Sequence, residues 1–302
     1  MLKSLEYMEK NKQVGCFGIP YLDNKLRGIL QGDLILIGSR SGAGKSTIAQ
    51  MIACANSTQG RKVSLLSLEN FVGDEFMQKC FYFYIKEARD FNLNIRDFIS
   101  GNFNINLDAL EASEKYAENY FKNVSITSRK KGFNLQDMKD AMVKDVVEKG
   151  IRLIILDHLD YVDKFNQNDS DISHVSEIMR TIRNLQDEFK VGVIAISHLR
   201  KPHSVKDMPA VPSVDEFIGS SNKVKEATVV VLIAPDDVSN SEFPDSKTKA
   251  TWCCVRKLRL GGIDNKVAKL FFDVRIGEYL PKYDMYSVNY AGTEQKLLND
   301  EQ

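Results

Sequence analysis

A glycine-rich segment at residues 39–46, S-R-S-G-A-G-K-S, contains the residue types that can hold a phosphate group. It follows the apolar run D-L-I-L-I-G and leads into the helical run S-T-I-A-Q-M, which is the strand–loop–helix context of the phosphate-loop motif. Small residues let successive backbone N–H groups surround a phosphate, and the helix N-terminus adds partial positive charge. The usual first glycine of the motif is Ser39 here, with Gly38 one position earlier. An ordinary glycine-rich turn is the alternative, but the combination favours binding of a nucleoside triphosphate.

Two residues of this segment have distinct expected roles. The Lys45 ammonium is expected to reach the β- and γ-phosphates, and the Ser46 hydroxyl is expected to bind Mg²⁺. We therefore predict ATP and Mg²⁺ as the cofactors. The predicted nucleotide-binding residues are Ser39, Arg40, Ser41, Gly42, Ala43, Gly44, Lys45, Ser46 and Thr47.

Polar side chains follow three other apolar runs of the chain. Glu69 follows V-S-L-L-S-L, Asp157 ends L-I-I-L-D, and the pair Ser197 and His198 ends V-G-V-I-A-I-S-H. Ligands of doubly wound α/β sheets lie outside the carboxyl ends of the strands, so these side chains are predicted to face the bound phosphates. Asp157 is expected to hold Mg²⁺ through water. Glu69 is expected to orient and deprotonate the attacking water, and His198 to contact the γ-phosphate.

Each of these residues also has a simpler interpretation. Asp157 could cap a helix, Glu69 could be an exposed loop residue, and His198 could have a purely structural role. The sequence assigns no role to the other three histidines, which are His158, His174 and His203.

The elements that must position these side chains alternate between strands and helices. This alternation, over about 200 residues, predicts one α/β domain with a mostly parallel sheet. Near residue 249 the pattern changes to two hairpin-like strands, at residues 250–258 and 266–273. The predicted strands of the first part are residues 33–38, 62–68, 124–127, 151–157, 191–197 and 228–233, and the predicted helices are 46–56, 73–90, 108–122, 135–149 and 173–189. A short helix at residues 2–13 and a loose polar tail at 285–302 are also expected, which divides the chain into 1–14, 15–280 and 281–302.

Composition excludes several classes of protein. The 302 residues are 43% apolar and 27% charged, which is ordinary globular usage. Because 41 basic and 41 acidic residues cancel, a nucleic-acid binder with a uniformly basic surface is excluded, although a local basic loop is not. No apolar stretch approaches the roughly 18 residues of a membrane helix, and no signal peptide is recognised. Five cysteines without a C-x-x-C pair fit neither a disulfide framework nor a zinc site, so we expect a cytoplasmic protein without membrane contact.

The order of these motifs resembles that of a known family. G-S-R-S-G-A-G-K-S, S-L-E, I-I-L-D-H, I-S-H-L-R-K-P and K-L-R follow one another as in the RecA-fold ring helicases, over roughly residues 15–275. The chain is similar to the motor domain of DnaB-like replicative helicases. Its L-D-H and S-H-L motif sequences resemble those of phage primase-helicases and Twinkle more closely than those of bacterial DnaB. The resemblance implies a RecA-like phosphate-loop NTPase core with a C-terminal β-hairpin region. It also implies an ATP-driven ring translocase on single-stranded DNA, most simply a hexamer, with a loader or primase as partner.

The resemblance adds roles that the residues alone do not suggest. Lys257 and Arg259 occupy the positions of the family's K-x-R pair, whose side chains reach across a subunit interface to the neighbour's γ-phosphate. Without the resemblance, the two residues would be interpreted as solvated basic residues at the edge of a strand. Arg200, Lys201 and Lys206 lie on a proline-bounded segment that would face the channel of a ring and track a DNA backbone by charge. An ordinary surface loop is the alternative for that segment.

Two departures from the family pattern leave other functions open. Asp160 stands where the DnaB branch usually has Gln, and Ile218 stands at the Arg of the family's D-L-R-G-S-G-A segment. Hydrolysis is predicted on either interpretation, whereas unwinding is predicted only for a helicase. The alternative is a RecA- or KaiC-like oligomeric ATPase that binds nucleic acid or a protein without unwinding. A monomeric phosphate-loop kinase is a third class, against which Glu69 and the lack of an arginine-rich lid count. The expected location is the cytoplasm, which would be that of the host cell if the protein is encoded by a phage.

Overall fold

The computed structural model describes residues 12–40, 43–69, 107–164, 170–200, 211–217, 220–242, 246–259, 261–262, 264–273, 278–291 and 294–299. The helices predicted at residues 2–13 and 73–90 lie outside these ranges, apart from residues 12 and 13, and residue 13 begins a strand. The division of the chain at residues 14 and 280 stays a prediction.

Among the described residues up to 235, strands and helices alternate, as predicted. The strands are β1 (Gln13–Gly15), β2 (Ile29–Leu30), β3 (Leu34–Ser39), β4 (Val63–Ser67), β5 (Val124–Ser128), β6 (Leu153–Asp157), β7 (Gly192–His198), β8 (Val229–Pro235), β9 (Thr248–Leu258), β10 (Lys266–Asp273), β11 (Glu278–Ala291) and β12 (Glu294–Asn299). The α-helices are α1 (Pro20–Leu26), α2 (Lys45–Ser57), α3 (Leu107–Tyr120), α4 (Leu135–Lys149), α5 (Asp171–Phe189), α6 (Ser220–Glu226) and α7 (Asp237–Glu242). Single 3₁₀ turns lie at Leu159–Tyr161 and Val214–Glu216.

Ten of these strands form one sheet in the order β12-β11-β10-β9-β8-β3-β7-β6-β4-β5. The six strands from β8 to β5 are parallel, and β9 to β12 add antiparallel pairings at one side. This arrangement confirms the predicted parallel α/β core and the hairpin formed by β9 and β10.

The central strands are apolar throughout because the sheet is covered on both faces. In β3, Ile35 and Ile37 pack into one core cluster, whereas Leu34 and Leu36 pack into another on the opposite face. Strands buried on both sides read as continuous apolar runs rather than as alternating ones. The apolar runs in the sequence therefore located the strands to within one or two residues.

The loose tail predicted at residues 285–302 is wrong over residues 285–291 and 294–299, which belong to strands β11 and β12. Strand β11 pairs with β10 from Ser287 opposite Lys266 to Glu278 opposite Asp273, and β12 pairs with β11. The segment is polar because alternate residues of an antiparallel strand at the side of a sheet can face solvent. Polarity does not indicate a lack of structure here, since Val288 is buried in one of the core clusters.

No helix among the described residues is long and apolar enough to cross a lipid bilayer.

Candidate active site

The predicted site residues meet at the carboxyl ends of the parallel strands. The register pairs Ser39 with His198 across β3 and β7, and pairs Ser67 with Asp157 across β4 and β6. The backbone N–H of Glu69 lies 3.4 Å from the carbonyl oxygen of Asp157. The sequence prediction that these three strand ends share one edge is confirmed, whereas the roles of the side chains stay predictions.

The phosphate-loop segment leads directly into α2. Gly44 precedes the helix with a φ of 73°, a left-handed conformation that glycine adopts without strain. Lys45 opens the helix and is 8% exposed, and Ser46 and Thr47 follow it. Ser39, Arg40 and Ala43 are buried, while Ser41 and Gly42 lie outside the described residues.

The displaced glycine of the phosphate-loop motif has a steric reason. A Cβ atom at Gly38 would overlap the ring of Phe217 and would lie 2.8 Å from Cδ2 of Leu199. Leu199 and Phe217 form an isolated antiparallel bridge directly over this position. Gly38 is therefore required for close packing, whereas Ser39 has room for a side chain, which donates a hydrogen bond to the Arg40 carbonyl at 3.1 Å.

Asp157 is the most deeply buried carboxylate of the site. It has no exposed surface, and no hydrogen bond of normal geometry reaches either carboxylate oxygen. Burial raises its pKa to about 6, although the nearby Ser46 hydroxyl and the His158 ring oppose that rise. A buried, unpartnered carboxylate beside a serine hydroxyl fits the oxygen ligands that Mg²⁺ prefers.

Two histidines flank the predicted base. Nε2 of His158 lies 3.6 Å from Oε2 of Glu69, and the His158 ring packs edge-to-face on that of His198 with centroids 4.2 Å apart. Burial lowers the pKa of His198, and the neighbouring His158 ring and Lys45 ammonium lower it further. His198 is therefore a neutral imidazole at neutral pH, which can both donate and accept a hydrogen bond.

An ion pair behind the site, between a buried lysine and a partly exposed aspartate, was not predicted. Lys223 of α6 has no exposed surface, and its ammonium donates to Asp160 at 2.5 Å and to the Ser197 hydroxyl at 2.9 Å. Asp160 also accepts from the His198 backbone N–H at 2.9 Å. Burial alone would raise the pKa of Asp160, but the nearby His158 and the Lys223 ammonium hold it well below its usual range. Lysine is usually solvated, so no sequence signal indicated that Lys223 would be buried.

A second ion pair, between the buried Arg40 and the partly buried Glu216, joins the phosphate-loop segment to the segment after β7. The Arg40 guanidinium makes two hydrogen bonds to Glu216, at 2.8 and 2.7 Å. The Glu216 carboxylate also accepts from the backbone N–H of Ser213, and its carbonyl accepts from the backbone N–H of Arg200. Glu216 thus ties together both ends of the predicted DNA-binding segment. Arg200 is exposed at its start, while Lys201 and Lys206 lie outside the described residues.

The basic pair at the end of β9 lies far from the chain's own phosphate loop. The Lys257 ammonium donates to the carbonyl oxygens of Val224 and Lys225 at the end of α6, and the Arg259 guanidinium donates to that of Lys225 at 3.2 Å. The Arg259 backbone N–H donates to the carbonyl oxygen of Thr228. Thr228 lies five residues before Ile233, and Ile233 pairs with Ser39 at the start of the phosphate loop. At about 3.3 Å per residue, this is about 16 Å along the strand. The pair therefore does not join the site that its own chain forms.

A cavity of about 400 Å³ opens beside the start of α2. Thr47, Pro235, Phe272 and Tyr279 line it, together with Gly44. Asn240, Lys249 and Thr251 also line it, so aromatic rings that could pack on a planar ligand stand beside polar groups that could bind its edge. Because the cavity lies beside the phosphate loop, it is a candidate binding site for the nucleotide base.

Comparison with known proteins places the whole core in one family. A family model described as the DnaB-like helicase C-terminal domain matches residues 17–279. The replicative DNA helicase DnaB of Buchnera aphidicola subsp. Schizaphis graminum is 26% identical over 245 residues, covering 75% of this chain and 48% of that protein. The chain spans about half the length of the curated relatives it matches.

Solved structures share the fold at lower identity. A DnaB-like replicative helicase, whose structure was solved together with its interactions with primase, superposes with a TM-score of 0.71 at 20% identity, covering 92% of this chain and 66% of that chain. The KaiC-like protein PH0186 of Pyrococcus horikoshii OT3 gives a TM-score of 0.54 at 16% identity, covering 88% of this chain and 97% of that chain. These similarities confirm the predicted RecA-like fold.

Proposed function

The chain belongs to the family of DnaB-like helicase C-terminal domains, and from this premise we propose that it hydrolyses ATP to move along single-stranded DNA as a replicative helicase motor. One observation carries the proposal. The carboxyl ends of the parallel strands bring together Lys45, Glu69, Asp157 and His198. Arg259 lies near the other, amino end of β8. Such a chain has a nearly complete hydrolytic site and offers the missing arginine to another subunit.

Asp157 and Ser46 are the residues that would hold Mg²⁺. The orphaned oxygens of Asp157 fit a cation, and Lys45 adds a second positive charge nearby. When bound, Mg²⁺ would neutralise the charge that develops on the phosphate oxygens. Lys45 would bind the nucleotide phosphates, and the cavity beside Thr47 would take the base.

Glu69 would act on the attacking water. Its side chain is 31% exposed at the edge of the site, so water can reach it. A carboxylate at this position can accept a proton while it orients the water towards the γ-phosphate. The neutral His198 imidazole would donate a hydrogen bond to that phosphate and lose it after hydrolysis, and Ser39, the residue paired with His198, lies at the start of the phosphate loop.

Oligomerisation follows from the position of Arg259. Since the Arg259 backbone lies about 16 Å along the strand from the residue that pairs with Ser39, we propose that its side chain assists hydrolysis at a neighbour's site. A closed ring of six such chains, in the cytoplasm of a cell or of a phage host, is the assembly that we propose. A primase or loader as partner is a further part of this proposal.

Lys45→Ala is expected to weaken nucleotide binding by about 10–150-fold, because removal of a charge-assisted hydrogen bond costs about 1.5–3 kcal/mol. Titration of the full chain with a fluorescent ATP analogue measures this change. Lys62→Ala is the control, because its partly exposed ammonium contacts the carbonyl of Lys149 away from the site. Unchanged affinity in Lys45→Ala would contradict the phosphate-loop assignment.

The proposed motor activity is tested by strand displacement from a forked DNA duplex, measured together with ATP hydrolysis in the presence and absence of single-stranded DNA. We expect single-stranded DNA to stimulate hydrolysis and the duplex to be unwound. Stimulated hydrolysis without unwinding, or oligomers without any response to DNA, would instead favour the KaiC-like type of ATPase.

Glu216→Gln is expected to reduce the stimulation of ATP hydrolysis by single-stranded DNA more than it reduces basal hydrolysis. The substitution removes the charge that contacts Arg40, while the Glu216 carbonyl still accepts from Arg200. Breaking a buried pair costs about 3–5 kcal/mol of stability, so thermal unfolding must be measured alongside. Asp215→Asn, a neighbouring exposed side chain with the same change in charge, should leave the stimulation ratio unchanged. Equal loss of basal and stimulated rates would mean that the pair has only a structural role.

A further inference from the structure

The cluster formed by Glu69, His158 and His198 has a property that ATP hydrolysis does not require. Each residue offers one ligand atom, and these atoms all lie within 4.8 Å of one another. Two imidazole nitrogens and one carboxylate oxygen converge from the ends of β4, β6 and β7. The sequence assigned no role to His158, so this convergence is visible only in the folded chain.

His158 is the residue that makes the cluster unusual. It is 1% exposed, and neither ring nitrogen has a hydrogen-bond partner of normal geometry. A buried polar group without a partner costs free energy, so a ligand that used its lone pair would recover that cost. Its Nε2 faces Glu69 at 3.6 Å, and its Nδ1 faces Asp160 at 3.4 Å.

These distances suit a small tetrahedral cation. Zinc–ligand bonds of about 2.0–2.1 Å place neighbouring ligand atoms about 3.4 Å apart. The separation of 3.6 Å between Nε2 of His158 and Oε2 of Glu69 is already close to that value, and a ligand nitrogen of His198 lies within 4.8 Å of the other two ligand atoms. Asp160 lies behind His158 in the position of the outer carboxylate that orients a metal-binding histidine.

We propose that Glu69, His158 and His198 form a second cation site, which takes a borderline transition-metal ion such as Zn²⁺. Mixed nitrogen and oxygen ligands favour Zn²⁺, whereas Mg²⁺ prefers oxygen ligands such as those of Asp157 and Ser46. The two sites therefore select different ions within the same cleft. A bound Zn²⁺ occupies the lone pairs of Glu69 and His198, so neither can act on water or phosphate.

The ion is therefore an inhibitor. Binding of Zn²⁺ does not rest on the proposed function, but inhibition of hydrolysis does. Because loss of a catalytic base costs about 10²–10⁴-fold, a filled site lowers ATP hydrolysis by about 10²-fold or more even with Mg²⁺ in excess. Chelation restores the rate, since no covalent change is involved.

Equilibrium dialysis of the full chain against Zn²⁺, with excess Mg²⁺ and without nucleotide, tests the site. Wild type is expected to bind one ion that His158→Phe and His198→Phe each bind at least about tenfold more weakly. His174→Phe is the matched control, because His174 contacts the Val162 carbonyl outside the cluster and should leave binding unchanged. Circular dichroism checks that each variant is folded. Equal zinc binding by wild type and the two cluster variants would overturn the proposal.

Cobalt substitution gives an independent measurement on the unmodified chain. Bound Co²⁺ should show the visible bands of a nitrogen- and oxygen-ligated tetrahedral ion. A near-ultraviolet thiolate-to-cobalt band would place the ion on cysteine instead and would also overturn the site. Zinc bound at the cluster in a chain that never hydrolyses ATP would leave the cation site standing and refute the proposed function.

Discussion

Arg259→Ala protein is expected to bind ATP normally yet hydrolyse it about 10³–10⁵-fold more slowly, because a planar guanidinium stabilises charge on the transferring phosphoryl group. Its own Lys45, Glu69 and Asp157 remain intact, so the loss must arise at a neighbour's site. Steady-state ATP hydrolysis by the assembled protein measures the effect. Arg180→Ala, which removes an exposed arginine from α5, should change the rate by less than a few-fold.

Mixing separates action across an interface from action within one chain. Neither Arg259→Ala nor Lys45→Ala protein alone forms a complete site, but a mixed assembly pairs an intact phosphate loop with an intact arginine at some interfaces. The mixture should therefore recover part of the activity. If both proteins co-assemble and the mixture gains nothing, the shared-site ring is wrong, and a self-contained ATPase or a monomeric kinase becomes the better interpretation.

Glu69→Gln is expected to keep nucleotide affinity while turnover falls by about 10²–10⁴-fold, since the amide has the shape of the carboxylate but does not accept the water's proton. Single-turnover hydrolysis and ATP titration of the same preparation distinguish the two effects. Glu148→Gln, an exposed glutamate on α4, is the matched control.

Near-normal turnover in Glu69→Gln would transfer the role of base to another carboxylate. Asp160 lies close to the site, but its contacts make it a poor candidate. Its oxygens accept from Lys223, Ser197 and the His198 backbone, and its pKa is held low, so it has little affinity for a proton.

The parts of this protein that the sequence predicted are those governed by local pattern. Strands buried on both faces must be apolar along their whole length, and β6 and β7 were accordingly located from their residues alone. Parallel strands bring their carboxyl ends to one edge, so the meeting of Asp157 and His198 followed from the strands. The phosphate-loop segment was recognisable because its chemistry is confined to a short run of consecutive residues.

The parts that the sequence did not predict depend on contacts between distant segments. Lys223 is 63 residues from Asp160, and Arg40 is 176 residues from Glu216. Charged residues have no pattern that indicates burial when their partner lies elsewhere in the chain. Strands β11 and β12 were not predicted for a related reason, because strands at the side of a sheet can be polar in sequence.

Helix α6 is seven residues long and contacts both the residues behind the catalytic site and the basic pair proposed to act on a neighbouring subunit. Lys223 contacts Asp160 and Ser197 behind the catalytic edge, while the carbonyl oxygens of Val224 and Lys225 hold Lys257 and Arg259. Any displacement of this short helix therefore acts on the two ends together. In a ring, such a helix would couple the state of one site to the position of the arginine at the next site. A change behind one γ-phosphate would move the arginine presented to the next subunit, so neighbouring sites would hydrolyse in sequence rather than independently.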